Sequence, residues 1–269
     1  MTYLSLQALR EIHALIIDMD GVLWRGDEPL PGLVEFFILL QERPIAFCMA
    51  TNNASGSPEQ YVQKLASMGV EVAPDDILTS AVVTAKHIAA IAPGASVYAI
   101  GDGTRQAVLD HGLRLSRGGR ADFVAVGWDP KLTYEELSEA TLLIHAGAKF
   151  IGTNPDRTWP SERGLLPGNG AILAFLQAAT DVEPFIIGKP ERAMFDAALV
   201  AMGADASHTA MLGDRLETDI LGGQNAGLRT IFVLTGASDE AELAASPVKP
   251  DWAFKDIQGL TQAWSDLPR

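Results

Sequence analysis

Four short stretches carry residues whose types and spacing could do chemistry. They are IIDMDGVLW with Asp18, Asp20 and Gly21, MATNN with Thr51, Asn52 and Asn53, IGKP with Lys189, and GDRLETD with Asp214 and Asp219. Cleaving a phosphate ester takes a nucleophile, a proton donor for the leaving oxygen, donors for the non-bridging oxygens and a cation, and these residues can supply or hold each of them. Asp18 is placed to attack phosphorus and form an aspartyl-phosphate. Asp20, released from strand alternation by the turn at Gly21, is placed to act first as acid and then as base for water. Alone, each stretch is a weak signal, because Asp and Gly also build ordinary solvated turns. In order, and each at the end of an apolar run, they form a strong one.

Four carboxylates in one pocket repel one another, at about 3 kcal/mol per pair for a spacing of ~5 Å and an effective dielectric near 20. A hard divalent cation on oxygen ligands resolves this, and Mg²⁺ is the one expected to work alongside a substrate phosphate. Asp18 and Asp214 are the expected side-chain ligands, with the Asp20 carbonyl as a backbone ligand. Asp219, one helical turn beyond Asp214, is expected to orient waters or Lys189. The Lys189 ammonium offsets the remaining negative charge, and the Thr51 hydroxyl with backbone N–H groups around Gly21, Asn52 and Asn53 completes the phosphate donors.

The elements that must position these residues alternate along the chain. HALIIDMD reads as a short buried strand, LPGLVEFFILLQER as a helix, RPIAFCMATNN as a second buried strand and SPEQYVQKLASMG as a helix with Pro58 in its first turn. Such alternation predicts a parallel sheet with crossover helices. A middle block repeats the pattern through SVYAIG, a helix from Thr104 to His111, ADFVAVGWD, the helix of TYEELSEATLLIHAG, and KFIGTN. Then follow LPGNGAILAFLQAAT as helix, PFIIGKP as strand, ERAMFDAALVAMG as helix, HTAMLGDR as strand, ETDILGGQNAG as helix and RTIFVLTG as strand, with a final strand and helix in DWAFKDIQGLTQAW. The two α/β blocks could lie side by side or be nested. Open parallel sheets bind ligands beyond the carboxyl ends of their strands, and two of the four polar tips precede the middle block while two follow it.

Composition narrows the classes. The 269 residues suffice for one large domain or two modest ones, and 48% hydrophobic content supports a buried core. A formal charge of −14, from 20 basic and 34 acidic side chains, opposes binding to nucleic acid or to an anionic membrane surface. No segment approaches the ~20 apolar residues that span a bilayer, and the N-terminus lacks a basic and apolar leader pattern, so a soluble cytoplasmic protein is expected. Cys48 sits in an apolar run as a small core residue, and the five histidines show no metal-ligand spacing. Trp128 reads as packing a turn, and Arg117 to Arg120 as too short for a basic patch.

With those residues in view, the chain resembles a haloacid dehalogenase (HAD) superfamily phosphatase, and within it the NagD-like or 4-nitrophenyl phosphatase branch. DMDGVLWRG, TNNAS, VGWDPKLTYEEL, GTNPD, LLPGNGAI, GKPERAMF and GDRLETDILGGQNAGLRT carry the likeness over nearly the whole length. The resemblance implies an α/β fold: a Rossmann-like core, residues 1–79 and 183–269, with a large α/β cap, residues 80–182, inserted into it. It implies Mg²⁺ dependence, Asp18 as nucleophile, Asp20 as acid and base, Thr51 and Lys189 on the phosphoryl group, and Asp214 on the metal. In that family the second Asp separates phosphatases from true dehalogenases. The cap should close over the pocket and select substrates, with Asn154, Asp156 and Arg157 of GTNPDRTWPSERG as candidate contacts to a small phosphorylated metabolite. Homodimers through the cap are common in similar proteins and form one option for this chain.

Rival readings fit less well. A dinucleotide fingerprint fails because PGNGAIL has Gly168 and Gly170 but Leu173 in the third place, and Lys189 has no GxxxxGK before it. A phosphoryl-accepting or phosphate-binding module without enzymatic turnover would share the acid pocket, but it needs neither the second acid beside the nucleophile nor a large insertion. A sugar phosphomutase uses the same residues and hands the phosphoryl group to a second sugar hydroxyl instead of to water.

Overall fold

The computed structural model describes residues 3–161 and 163–268. It divides into two compact units. The first comprises the described residues of Met1–Thr51, Pro58–Leu78 and Lys189–Arg269, and the second comprises Asn52–Ser57 and the described part of Thr79–Gly188. Among the described residues no helix is long and apolar enough to cross a membrane.

The first unit is built on a six-stranded sheet in the order Trp252–Phe254, Arg229–Val233, Thr209–Gly213, Ala14–Ile17, Ala46–Thr51 and Ile77–Thr79. The first five strands pair in parallel. Ala14–Ile17 and Thr209–Gly213 are buried at every position, as expected of parallel strands covered on both faces. Leu15, Ile17, Phe36, Leu40, Trp252 and Trp264 belong to the main core cluster, which joins the sheet to the helices Leu33–Glu42 and Ile257–Ser265. Ile17 pairs with Met49 on one side and Leu212 on the other. Because all three strands run the same way, Asp18, Thr51 and Asp214 emerge at one edge of the sheet.

The second unit has a five-stranded parallel sheet in the order Phe185–Ile186, Lys149–Gly152, Phe123–Val126, Ser96–Ile100 and Arg114–Leu115. Ile100, Val124, Val126, Leu143, Phe150 and Leu173 lie in its core. Three features differ from the sequence reading. The strand of PFIIGKP, placed with the core above, pairs through Phe185 and Ile186 with Ile151 and Gly152, so residues 183–188 belong to this second unit. Asn52–Ser57 also belongs here, because Ser80 Oγ and Asn154 Nδ2 each donate to the Asn52 carbonyl at 2.7 Å. The stretch GTNPDRTWPSERG, read as a loop, contains one strand of an antiparallel hairpin, Thr158–Ser161 against Gly164–Pro167. Its Glu162 lies outside the described residues. Trp128 packs a turn of this unit, stacking on Trp159 at 5.2 Å and donating to the Pro167 carbonyl.

Candidate active site

Asp18 follows the fully buried strand Ala14–Ile17, and its N–H donates to the Leu212 carbonyl at 2.9 Å, which extends the parallel ladder by one residue. Asp214 stands one residue past the neighbouring strand Thr209–Gly213. Asp219 reaches the same place through the next element, which starts as a π-helical turn, Leu216–Ile220, before the short α-helix Leu221–Asn225. The wider turn departs from the plain helix read from ETDILGGQNAG, and π turns of this kind recur at functional sites. Gly213 is required for the approach, since any side chain there would overlap the Asp219 Cβ.

One carboxylate oxygen from each of Asp18, Asp214 and Asp219 lies within 4.8 Å of the others. Lys189 Nζ bonds Asp18 Oδ1 at 2.5 Å and Asp219 Oδ1 at 2.8 Å, with only 2% of its side chain exposed. Asp219 Oδ2 accepts from the Arg215 N–H at 3.1 Å, and Asp214 Oδ2 accepts from the Ala237 N–H at 2.5 Å. Asp214 Oδ1 is buried and has no hydrogen-bond partner among the described residues.

The electrostatics follow from burial. Burial, reinforced by Asp18 and Asp219, holds the Asp214 carboxyl well above the ordinary carboxylate range. Asp219 is also raised, by burial, with Lys189 opposing. Burial works against the Lys189 ammonium, but the charges of Asp18 and Asp219 outweigh it and hold its pKa above the usual lysine value. Three acids around one ammonium leave a cluster that is short of positive charge. A buried carboxylate oxygen without a donor, inside a set of hard oxygen atoms, suits a divalent cation of the Mg²⁺ kind. Asp18 and Asp214, with Asp219 adjoining, are the side chains that could hold it.

The same residues lie in a chain with extensive likeness to known proteins. Residues 15–114 match a model described as haloacid dehalogenase-like hydrolase, and residues 186–260 match a HAD-hydrolase-like model. An acid sugar phosphatase of Staphylococcus epidermidis is 40% identical over 250 residues, covering 93% of this chain and 96% of that protein. The chain belongs to the haloacid dehalogenase-like hydrolases. Among solved structures, a 4-nitrophenylphosphatase from Thermotoga maritima is 36% identical with a TM-score of 0.91, covering 96% of this hydrolase and 99% of that chain. NagD from E. coli is 32% identical with a TM-score of 0.85, covering 91% and 97%.

The structure of the hydrolase brings Asp18, Lys189, Asp214 and Asp219 together and adds detail to the other expected residues. Lys189 does not terminate a core strand. It follows the short strand Phe185–Ile186 of the second sheet and enters the first unit ahead of the helix Arg192–Met202. Asp219, expected to act only at one remove, sits as close to Asp18 and Asp214 as a ligand would. Gly21 adopts φ +86°, where side chains are strained, and a Cβ there would meet Asp214 Oδ2 at 2.6 Å. Asp20 is exposed, and its Oδ1 accepts from Trp24 Nε1 at 2.8 Å. Thr51 is buried at the end of Ala46–Thr51.

The remaining candidates lie in the second unit. The Asn53 side chain closes its own turn, with Oδ1 accepting from the N–H and hydroxyl of Ser55. Asn52 Nδ2 donates to Asp156 Oδ1 at 3.2 Å. Asn154, expected to touch substrate, is only 4% exposed; its Nδ2 is committed to the Asn52 carbonyl and Thr153, and its Oδ1 to the Asp156 N–H. It braces the loop, and of the three cap candidates only Arg157 is exposed.

The sequence reading missed the segment after Arg229–Val233. Gly236 packs so closely on the Asp214 carboxylate that any side chain would overlap it, Ala237 donates to that carboxylate, and Thr235 Oγ1 donates to the Gly21 carbonyl at 2.6 Å. The polar tip of RTIFVLTGAS carried the same signal as the other strand ends.

Proposed function

We propose that this hydrolase cleaves small phosphomonoesters, sugar phosphates among them, in two steps through an aspartyl-phosphate on Asp18. The observation that carries the reading is the buried Asp18–Lys189–Asp219 contact set with Asp214 alongside, at the end of a parallel strand and two residues before Asp20.

In the first step an Asp18 carboxylate oxygen attacks phosphorus as the bond to the leaving oxygen breaks, and a protonated Asp20 passes its proton to that oxygen. In the second, Asp20, now a carboxylate, takes a proton from water as the water oxygen attacks phosphorus. Phosphate leaves and both carboxyl groups return to their starting forms. The Lys189 ammonium holds Asp18 in place and offsets charge on the non-bridging oxygens, for which Thr51 and the N–H groups around Gly21 provide donors. Asp18, Asp214 and the Asp20 carbonyl would hold Mg²⁺, which when bound lowers the repulsion between the acids and the phosphate. The chain's likeness to an acid sugar phosphatase and to 4-nitrophenyl phosphatases supports a monoester substrate.

The test is phosphate release from a panel of sugar phosphates, phosphoglycolate, nucleoside monophosphates, pyridoxal phosphate and 4-nitrophenyl phosphate with Mg²⁺. Asp18→Asn should abolish it. Borohydride reduction during turnover should convert residue 18 to homoserine, the product of a trapped acyl-phosphate. Turnover that survives Asp18→Asn would refute the covalent route.

A further inference from the structure

Asp20 differs from the other acids of the site in being exposed, and an exposed aspartate ordinarily moves among its side-chain rotamers. Proton transfer to a leaving oxygen needs a carboxyl group held at hydrogen-bond distance in a fixed direction. Trp24 meets that need. Its indole is fully buried, and Nε1 donates to Asp20 Oδ1 at 2.8 Å.

The indole is itself held from several sides. Its ring stacks on Tyr61 with centroids 6.3 Å apart and planes 17° from parallel, and Lys64 Nζ lies 4.7 Å from the ring centroid. Tyr61 and Lys64 are three residues apart on the helix Pro58–Ser67, so one helix face covers the ring. Lys64 Nζ also donates to the Gly26 carbonyl at 2.6 Å, which ties that helix to the turn following Trp24. The backbone adds a second tie, the Gly21 N–H donating to the Trp24 carbonyl at 2.8 Å within an Asp20–Trp24 bridge.

An indole N–H can donate but cannot accept. It therefore engages a lone pair on Oδ1 and leaves the other oxygen, Oδ2, for the leaving group and later for water. We infer that Trp24 is a positioning residue for the proton-transfer step: it selects which Asp20 oxygen does the chemistry and in which direction it points. This inference rests on the phosphatase reading above, with Asp20 as its acid and base.

The test uses the full chain with Mg²⁺ and three substrates whose leaving oxygens rise in basicity: 4-nitrophenyl phosphate, phenyl phosphate and glycerol phosphate. The quantity read is kcat/KM, which covers the steps through phosphoryl transfer to Asp18. Trp24→Phe removes the donor and keeps an aromatic ring. It should lower kcat/KM by no more than about threefold on the nitrophenyl ester, about tenfold on the phenyl ester and about thirtyfold or more on the alkyl ester, within the range that general-acid catalysis contributes. In the Asp20→Asn background the same substitution should have no further uneven effect, because Trp24 acts through Asp20. Should Trp24→Phe lower the yield of folded protein, Trp24→Met, which also lacks a donor and fills apolar space flexibly, supplies the same comparison.

Equal losses on all three esters, or an undiminished effect of Trp24→Phe in Asp20→Asn, would mean that Trp24 only packs the core and would overturn the inference. Failure of the unsubstituted chain to release phosphate from any of the three esters would overturn the phosphatase reading and, with it, this role. The two failures are thus distinguishable.

Discussion

Replacing Lys189 by Met keeps the aliphatic volume and removes one charge from a site where two carboxylates touch it, at 2.5 Å and 2.8 Å. Breaking a buried ion pair by removing one partner costs about 3–5 kcal/mol, because the other charge stays buried without compensation. At about 2–4 °C per kcal/mol for a chain of this size, the melting temperature should fall by roughly 6–20 °C. For catalysis, an ammonium ~5 Å from a phosphoryl oxygen at an effective dielectric near 20 is worth about 3 kcal/mol per unit of phosphate charge, or roughly a hundredfold in rate. Lys189→Met should therefore lower kcat/KM by about a hundredfold, with both kcat and KM affected. The destabilisation should also depend on pH. With Lys189 gone, burial and Asp18 are opposed only by the Arg215 N–H and raise the Asp219 pKa further, so the folded state holds a proton that the unfolded state releases. Stability from such a group is present below the unfolded carboxylate pKa and is lost as pH rises through the folded one. Thermal melts in chelator at pH 5 and pH 8 should show the larger loss at pH 8. Adding Asp219→Asn to Lys189→Met should recover stability without recovering activity. A Lys189→Met enzyme that keeps kcat/KM within threefold, or is destabilised equally at both pH values, would refute the charge account of the site.

Three further outcomes follow from the same geometry. Gly236→Ala places a methyl group against the Asp214 carboxylate, and the Mg²⁺ concentration for half-maximal activity should rise at least tenfold while circular dichroism stays unchanged. In chelator, the unsubstituted protein should lose melting temperature as pH rises from about 5 to 8, because Asp214 and Asp219 both carry raised pKa values; Mg²⁺ should restore more at pH 8 than at pH 5, and calorimetric scans at both values check this. Phe36→Ala opens a cavity in the fully buried main core and should cost about 3–5 kcal/mol in urea unfolding.

Much of the site was legible because its chemistry lies at the ends of buried parallel strands. Ile16-Ile17-Asp18 and Leu212-Gly213-Asp214 change from apolar to acidic within a residue or two, and a parallel ladder then places both acids at one edge. Lys189 was legible as a residue type but not in its setting. Phe185–Ile186 is a strand of two residues with no alternation to read, and either sheet could have taken it. Asn154 shows the opposite limit: polar letters in a loop do not reveal that its Nδ2 donates to the Asn52 carbonyl 102 positions away.

By itself the sequence determined the class of chemistry, the acids and the ammonium that gather at one site, and the alternation of strand and helix that carries them, since these depend on residue type and on patterns a few residues long. Only the tertiary structure decided that Asp219 stands beside Asp18 and Asp214, that Gly236 and Ala237 close over the Asp214 carboxylate, and that Trp24 holds Asp20. Those contacts arise where a π turn, a positive-φ glycine and strand ends distant in sequence meet in one crowded volume, and close packing there leaves each group a single place to go.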